Sequence, residues 1–402
     1  MNHPVIEHMT LRIVADADIL SVETGFRELG ELALVPGREI SRDVLHQADV
    51  LLVRSITRVD AALLQGTSVR LVGTATSGTD HVDTGYLQQQ GIQFCDARGS
   101  NANAVADYCY TALAQLFARR KVDPGALTFA IIGAGRVGGL FIRRLRAHGI
   151  QCVAHDPFLG ESAIDSLIQI GVRMVDLETA LAADVVSLHV PLTTSGPHPT
   201  YHMLGADRLE LLSTGGILVN TSRGAVVSNN DLRQVLATRR DLSVVLDVWE
   251  NEPAIDTGLL DRVTVATPHI AGYSIEAKLD ATAMLRRQVC EFFALEADDD
   301  RAWQGPSAGS TESVMTGQAE PDDYFCGAIL SRFFPIMDLD HEFRAGFGAD
   351  DIDASRVFDR LRRHLVGRHE FRRCRLTTTA DLSRQQQDYL RHLGFAFGPS
   401  RS

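Results

Sequence analysis

Leu127–Gly139 reads LTFAIIGAGRVGG, and the fold is decided by what surrounds it. An apolar run, LTFAII, ends in Gly133-Ala134-Gly135-Arg136-Val137-Gly138, which fits G-x-G-x-x-G and opens the helix-like GGLFIRRLRAHG. Glycine-rich turns are common, so the motif acquires meaning only from its flanks. The next apolar run, QCVAHD, ends at Asp156, 21 positions after Gly135. In a strand-turn-helix-strand unit of this kind the glycines let backbone approach a pyrophosphate. The helix N-terminus stabilises the negative charge, and the acid accepts from ribose hydroxyls. Gly133, Gly135, Arg136, Val137, Gly138 and Asp156 are therefore the candidate dinucleotide contacts. An acid at Asp156 repels a 2′-phosphate, which favours NAD over NADP. The alternative is a plain strand-turn-helix corner, with Asp156-Pro157 no more than a strand-ending turn.

Further along the chain the rhythm continues through DVVSLHVP, GGILVNTSRG, SVVLDVWE and VTVATPHIAG, one doubly wound parallel sheet. Before it, the helix-like NANAVADYCYTALAQLFARR follows a first series of LRIVAD, SVETGFRELG, DVLLVRS, AALLQG and VRLVGTAT, read as βαβαβ. After it comes the helix-like SIEAKLDATAMLRRQVCEFFAL. A stretch rich in Asp, Ser, Gly and Gln from about 298 to 323 then reads as a linker. The tail carries a helix at SRVFDRLRRHLVG, an alternating FRRCRLTTT, a helix at DLSRQQQDYLRHLG and a short FAF, enough for a small α+β module. Residues before Leu11 show no periodicity and are expected to fray.

In a doubly wound sheet, ligands meet the loops after the carboxyl ends of strands. Arg223 follows GGILVNTS, Glu252 follows VVLDVWEN and His269 follows VTVATP, so neighbouring strands deliver an arginine, an acid and an imidazole to one edge. These are the parts that hydride transfer from a 2-hydroxy acid requires. His269 serves as base for the hydroxyl proton, Glu252 orients it, and Arg223 is a forked cation for the carboxylate. Singly, an arginine after Thr-Ser, a glutamate before Pro253 or one of 14 histidines is more often structural. Their order after the dinucleotide motif carries the reading. His81, His155 and His189 are taken as structural.

Composition narrows the class further. The 402 residues are 45% hydrophobic, enough for two or three domains. Against 51 acids stand 39 lysines and arginines, a net charge of −12, which disfavours nucleic acid or anionic membrane as partner and favours a small molecule. The six cysteines are scattered and without metal-ligand spacing, no span is long enough for a membrane helix, and MNHPVIEHM lacks a signal-peptide build. A cytoplasmic protein without a metal is expected.

GAGRVG, VNTSRGAVV, LDVWENEP and PHIAG resemble, in order, the signatures of the D-2-hydroxyacid dehydrogenases over about residues 50–290. The resemblance implies a discontinuous, flavodoxin-like substrate domain (10–102 and 272–298) and an inserted Rossmann NAD domain (103–271). The stretches RIVADADI, VLLVRSIT, GTATSGTDHVD, PHIAGYSIEAKL and FDRLRRHLVGRHEF resemble one branch of that family. Its substrate is phosphorylated, and its tail, here 299–402, is a dimerisation domain. Position by position, the resemblance gives Ser55, Thr76 and Tyr273 to the substrate and Asp156, Asp247 and Gly272 to NAD. Val190 stands where a threonine is expected, leaving a backbone contact there, and Ser100 replaces a common cysteine without a role. Arg54 or Arg58 beside Ser55 are candidate cations for a phosphate. Two other readings stay open: a dehydrogenase of a different 2-hydroxy acid, and an NAD-sensing, corepressor-like binding protein.

Overall fold

The first series of apolar runs builds a parallel sheet of β1 (Leu11–Asp16), β2 (Gly30–Val35), β3 (Val50–Val53), β4 (Leu71–Thr74) and β5 (Gln93–Asp96), in the order β2-β1-β3-β4-β5. In this computed structural model residues 10–295, 311–315, 325–348, 353–365, 367–378 and 382–398 are described. The strand order is the flavodoxin-like one, with its switch of direction between β1 and β3. Strands β3 and β4 are buried along their whole length, which is why they read as unbroken apolar runs. The sequence reading missed β2 and β5. Both are edge strands that bury at most part of one face, so their apolar signal is weak. The helix Ile275–Phe293 returns to this sheet and places Leu285 and Val289 in one core with Ile13, Val50 and Leu71.

A second parallel sheet holds β6 (Thr128–Ile132), β7 (Gln151–His155), β8 (Arg173–Met174), β9 (Val185–Leu188), β10 (Ile217–Asn220), β11 (Ser243–Leu246) and β12 (Val265–Ala266). Its order is β12-β11-β10-β9-β6-β7-β8. Six of these strands match the apolar runs read from the sequence; the seventh, β8, is a two-residue edge with no run of its own. The chain reverses direction between β6 and β9, and the glycine turn leaves the sheet at that point.

The tail forms a third parallel sheet, β13 (Thr311–Met315), β14 (Cys374–Thr378) and β15 (Ala396–Phe397), with helices Gly327–Phe333, Ile336–Gly346, Ala354–His364 and Arg384–Leu393. The last helix starts with a capping box in which Ser383 and Gln386 exchange side-chain to backbone bonds. Val357, Phe358, Leu361 and Leu365 pack inward and Arg356, Arg360 and Arg363 are exposed, as a solvated helix face requires, but Arg368 is buried and Arg362 half-buried, which corrects that reading for these two. Strand β13 corrects the linker reading, since TESVM pairs along its length with β14; the rest of 298–323 lies outside the described residues, as do residues 1–9. The helices 327–333 and 336–346 were also not anticipated, because Phe334-Pro335 interrupts their pattern.

The chain divides into two units, residues 1–101 with 276–308 and residues 102–275 with 309–402. The tail, expected as a third module, is counted with the second unit because the two share a core. Phe325, Ile329, Phe334, Leu390 and Phe395 cluster with Tyr108, Leu113, Phe117 and Phe141. Each large apolar side chain fully buried there contributes about 2–3 kcal/mol. Among the described residues no helix is long and apolar enough to cross a membrane.

Candidate active site

Three features of the glycine turn follow from missing side chains. Gly133 sits at φ +88° with its N–H donating to His155 O at 2.8 Å. A Cβ there would lie 2.6 Å from His189 O, and one at Gly138 would collide with Gly133 O. At Gly135, by contrast, a Cβ would meet nothing within 4 Å, so the outer side of the turn is open. The helix Arg136–Ala147 begins there without a side-chain cap, leaving its first N–H groups and the positive end of its dipole to an anion. An open glycine cradle on an uncapped helix fits a dinucleotide pyrophosphate. Asp156, half-buried after β7, accepts from Ala134 N–H at 2.9 Å and Phe158 N–H at 3.0 Å, so it also braces the turn it was expected to serve.

Arg223, Glu252 and His269 leave the carboxyl ends of β10, β11 and β12, three adjacent parallel strands. Arg223 Nη1 donates to Ser222 O at 2.7 Å and Asn220 Nδ2 to Arg223 O at 3.0 Å, which fixes the turn. Gly224 follows because the Trp249 backbone lies where a side chain would be.

His269 Nδ1 and Glu252 Oε2 are 2.9 Å apart, and the other carboxylate oxygen accepts from Trp249 N–H at 2.8 Å. With Nδ1 donating to the carboxylate, Nε2 is left as the proton acceptor of the neutral ring. Burial opposes ionisation of Glu252, yet the His269 ring, the Trp249 N–H and Arg362 outweigh it and hold the carboxyl below its ordinary range.

His269 itself is in the left-handed region at φ +58°, a conformation that costs a non-glycine residue on the order of 1 kcal/mol or more. Asp247 stabilises it. Its backbone O accepts from His269 N–H at 2.6 Å, while its carboxylate accepts from Ile270 N–H at 2.8 Å, Ala271 N–H at 2.9 Å and the Thr267 hydroxyl at 2.7 Å. Asp247, assigned by resemblance to NAD, is a buried acid that also holds the His269 loop. Burial raises its pKa, against the pull of His269 and of the same N–H groups. Gly272 and Tyr273 continue the loop, with Tyr273 N–H on Ile270 O at 2.9 Å.

Ser55 and Thr76 belong to the first unit, just beyond the carboxyl ends of β3 and β4. Ser55 is exposed; Thr76 Oγ1 donates to Gly78 O at 2.7 Å. Arg54 pairs with Asp16 at 2.8 Å and Asp18 at 2.6 Å, and Arg58 with Asp60 at 2.9 Å, so neither candidate cation is uncompensated. The sequence reading missed Lys278, on the first turns of the returning helix. Burial and the positive charge of Arg54 lower its pKa, which places two cations near each other in this unit. The signal was a lysine shortly after PHIAGYS, indistinguishable there from a surface residue.

Each histidine taken as structural has a local partner: His81 Nε2 with Thr74 Oγ1 at 3.0 Å, His155 Nδ1 with Val175 O at 3.0 Å and His189 Nε2 with Ser187 Oγ at 2.9 Å. Burial pushes His189 down to about 4, a neutral ring at physiological pH.

Residues 113–271 match the family described as D-isomer specific 2-hydroxyacid dehydrogenase, NAD binding domain. Among curated relatives, erythronate-4-phosphate dehydrogenase of Azotobacter vinelandii is 41% identical over 94% of this chain and 97% of its own length. That of Salinibacter ruber is 48% identical over 78% of this chain and 79% of its own. Among solved structures, D-lactate dehydrogenase from Aquifex aeolicus, complexed with NAD and lactic acid, superposes with TM-score 0.60 at 23% identity, over 74% of this chain and all of that one. NAD-bound 3-phosphoglycerate dehydrogenase of Entamoeba histolytica gives 0.60 at 24%, over 72% and 97%; both likenesses speak to the fold. The chain belongs to the D-isomer specific 2-hydroxyacid dehydrogenase family and is an NAD-dependent oxidoreductase of its erythronate-4-phosphate dehydrogenase branch.

Proposed function

We propose that the chain oxidises 4-phospho-D-erythronate to 3-hydroxy-2-oxo-4-phosphooxybutanoate, a step in pyridoxal 5′-phosphate biosynthesis. The chemistry rests on one observation, the His269–Glu252 pair at 2.9 Å on the sheet edge that also carries the glycine turn and Arg223. The substrate comes from the relatives' names.

His269 Nε2 takes the proton of the C2 hydroxyl, and the ring becomes an imidazolium stabilised by Glu252 through Nδ1. Arg223 holds the substrate carboxylate in its fork and polarises the forming 2-oxo oxygen. NAD, when bound, supplies the hydride acceptor, and Gly133, Gly135, Arg136, Val137, Gly138, Asp156 and Gly272 would hold it. Asp247, given to NAD by the resemblance, is proposed as a cofactor contact as well as the brace of the His269 loop. Ser55, Thr76 and Tyr273 are the proposed substrate contacts, with Lys278 adding positive charge in the first unit. The tail resemblance further supports a homodimer paired through the C-terminal segment, and the likeness to bacterial metabolic enzymes supports a cytoplasmic location.

The test is NAD reduction followed at 340 nm with 4-phospho-D-erythronate, 3-phosphoglycerate or D-lactate, with a 2-oxo acid in a parallel assay to recycle bound NADH. Selective turnover of phosphoerythronate is expected. Preference for another acid removes the substrate assignment, and no turnover of any acid in either direction favours the NAD-sensing reading.

A further inference from the structure

We propose that Arg362, on the tail helix Ala354–His364, is a positioning residue for the Glu252–His269 pair, so that the C-terminal segment is part of the catalytic apparatus. This rests on the roles given to that pair above. Arg362 Nε donates to Pro268 O at 3.0 Å, immediately before His269. Its Nη2 lies 3.5 Å from Glu252 Oε2, the oxygen that faces His269 Nδ1. One planar fork therefore ties the residue preceding the base to the acid that orients it, and rigid forks suit such double contacts better than a flexible ammonium. The guanidinium rests 5.1 Å from the centre of the Phe358 ring, which is 1% exposed and anchors the arm to the core.

Other tail residues grip the same loop. Arg368, fully buried, donates to Ala271 O at 3.2 Å and Tyr273 O at 3.0 Å, Ser274 Oγ donates to Glu370 at 3.0 Å, and Ile275 N–H donates to Arg368 O at 2.9 Å. His269 is held in a left-handed conformation, which persists only where neighbours over-determine it. Arg362 reaches the reacting pair itself.

The charge of Arg362 gives it a signature that packing alone would lack. Other charged groups on the elements about the pair, among the described residues, include Asp247 beneath the loop, Arg223 at the end of the strand beside that of Glu252, and the tail's Arg368 on the backbone of Ala271 and Tyr273. A cation beside Glu252 makes protonation of His269 less favourable, so removing it lets the imidazolium persist to higher pH.

The experiment compares full-length Arg362→Met and Arg362→Lys with the parent. Two quantities are read: the pH profile of kcat/KM for oxidation of whichever 2-hydroxy acid is turned over, and the NMR titration of the His269 ring, assigned with a His269→Ala control. In Arg362→Met the acid limb and the ring titration are both expected to move up by about 0.5 to 1 pH unit, the Coulomb effect of one cation at a partly exposed site. A roughly tenfold lower kcat is expected with NAD affinity kept. Arg362→Lys is expected to restore the limb and part of the rate. A ring titration that does not move in Arg362→Met, or equal loss in both variants with no shift, overturns the proposal. Absence of turnover with any acid removes the catalytic reading instead, because the ring titration needs no substrate.

Discussion

The glycine turn and the His269 loop occupy the same edge of one sheet and are built in opposite ways. The turn is held from close by: its bonds run to His155 and Asp156, within 25 residues, and its shape depends on side chains that are absent at Gly133 and Gly138. The loop from Thr267 to Ile275 is held by side chains that must be present, some nearby in sequence and others from Tyr108 and the tail. Tyr108 Oη meets Thr267 Oγ1 at 2.6 Å, Trp249 Nε1 donates to Thr267 O at 2.9 Å, Asp247 takes the N–H groups, and Arg362, Arg368 and Glu370 reach in from the tail. A binding turn of this kind is portable. A loop that carries a base in a strained backbone needs a whole domain around it.

Substitutions at the two places are expected to separate binding from chemistry. His269→Ala removes the proton acceptor and is expected to lower kcat by about 10²- to 10⁴-fold. Its NAD dissociation constant, measured by fluorescence titration, should stay within about twofold, since no part of the turn depends on it. Full activity in that variant would remove the mechanism. Gly138→Ala forces a Cβ against Gly133 O and must displace the turn. Overpacking of about 1–3 kcal/mol corresponds to roughly 10- to 100-fold weaker NAD binding. Its kcat at saturating NAD should remain within a few-fold, because Glu252 and His269 are untouched. If kcat falls as far as affinity, the two regions are coupled and the contrast between them is wrong.

The same contrast explains what the sequence made legible. The turn could be read because its determinants are consecutive: a buried strand, three glycines, a helix and an acid. Arg223, Glu252 and His269 could be read because each ends an apolar run, and adjacency of parallel strands did the rest. Asp247 was visible as an acid but not as the brace beneath the loop, since its partners Ile270 and Ala271 act through backbone N–H groups that carry no residue signature. Arg362 and Arg368 looked like an exposed basic face, and most of their neighbours are. Spacing in a helix says which residues point inward, but not that an arginine at the margin meets a loop 94 residues away. The edge strands β2, β5 and β8 were lost for a related reason, because half-exposed strands carry half the apolar signal.

If charged side chains of the tail hold the loop and do not hold the turn, pH should act on the first and spare the second. Glu370 is buried, accepting from Ser274 Oγ at 3.0 Å and Arg372 Nε at 2.6 Å. Burial, joined by the nearby charge of Asp107, pushes its carboxyl up to about 7 against the pull of Arg372 and Ser274. In the unfolded chain it ionises near the ordinary value of about 4.3. Between those two values the unfolded state has lost a proton that the native state keeps. Stability therefore falls as pH rises through this window and levels off above about 7. The half-exposed Arg372 screens the site, so the loss attributable to this group is on the order of 1–2 kcal/mol. Glu370→Gln, which cannot ionise, should remove that part of the slope in calorimetric Tm measured from pH 5 to pH 8. The variant should also leave NAD affinity unchanged across the range. The same slope in both proteins would mean that another buried group titrates there, and a change in NAD affinity would mean that the tail reaches the turn as well as the loop.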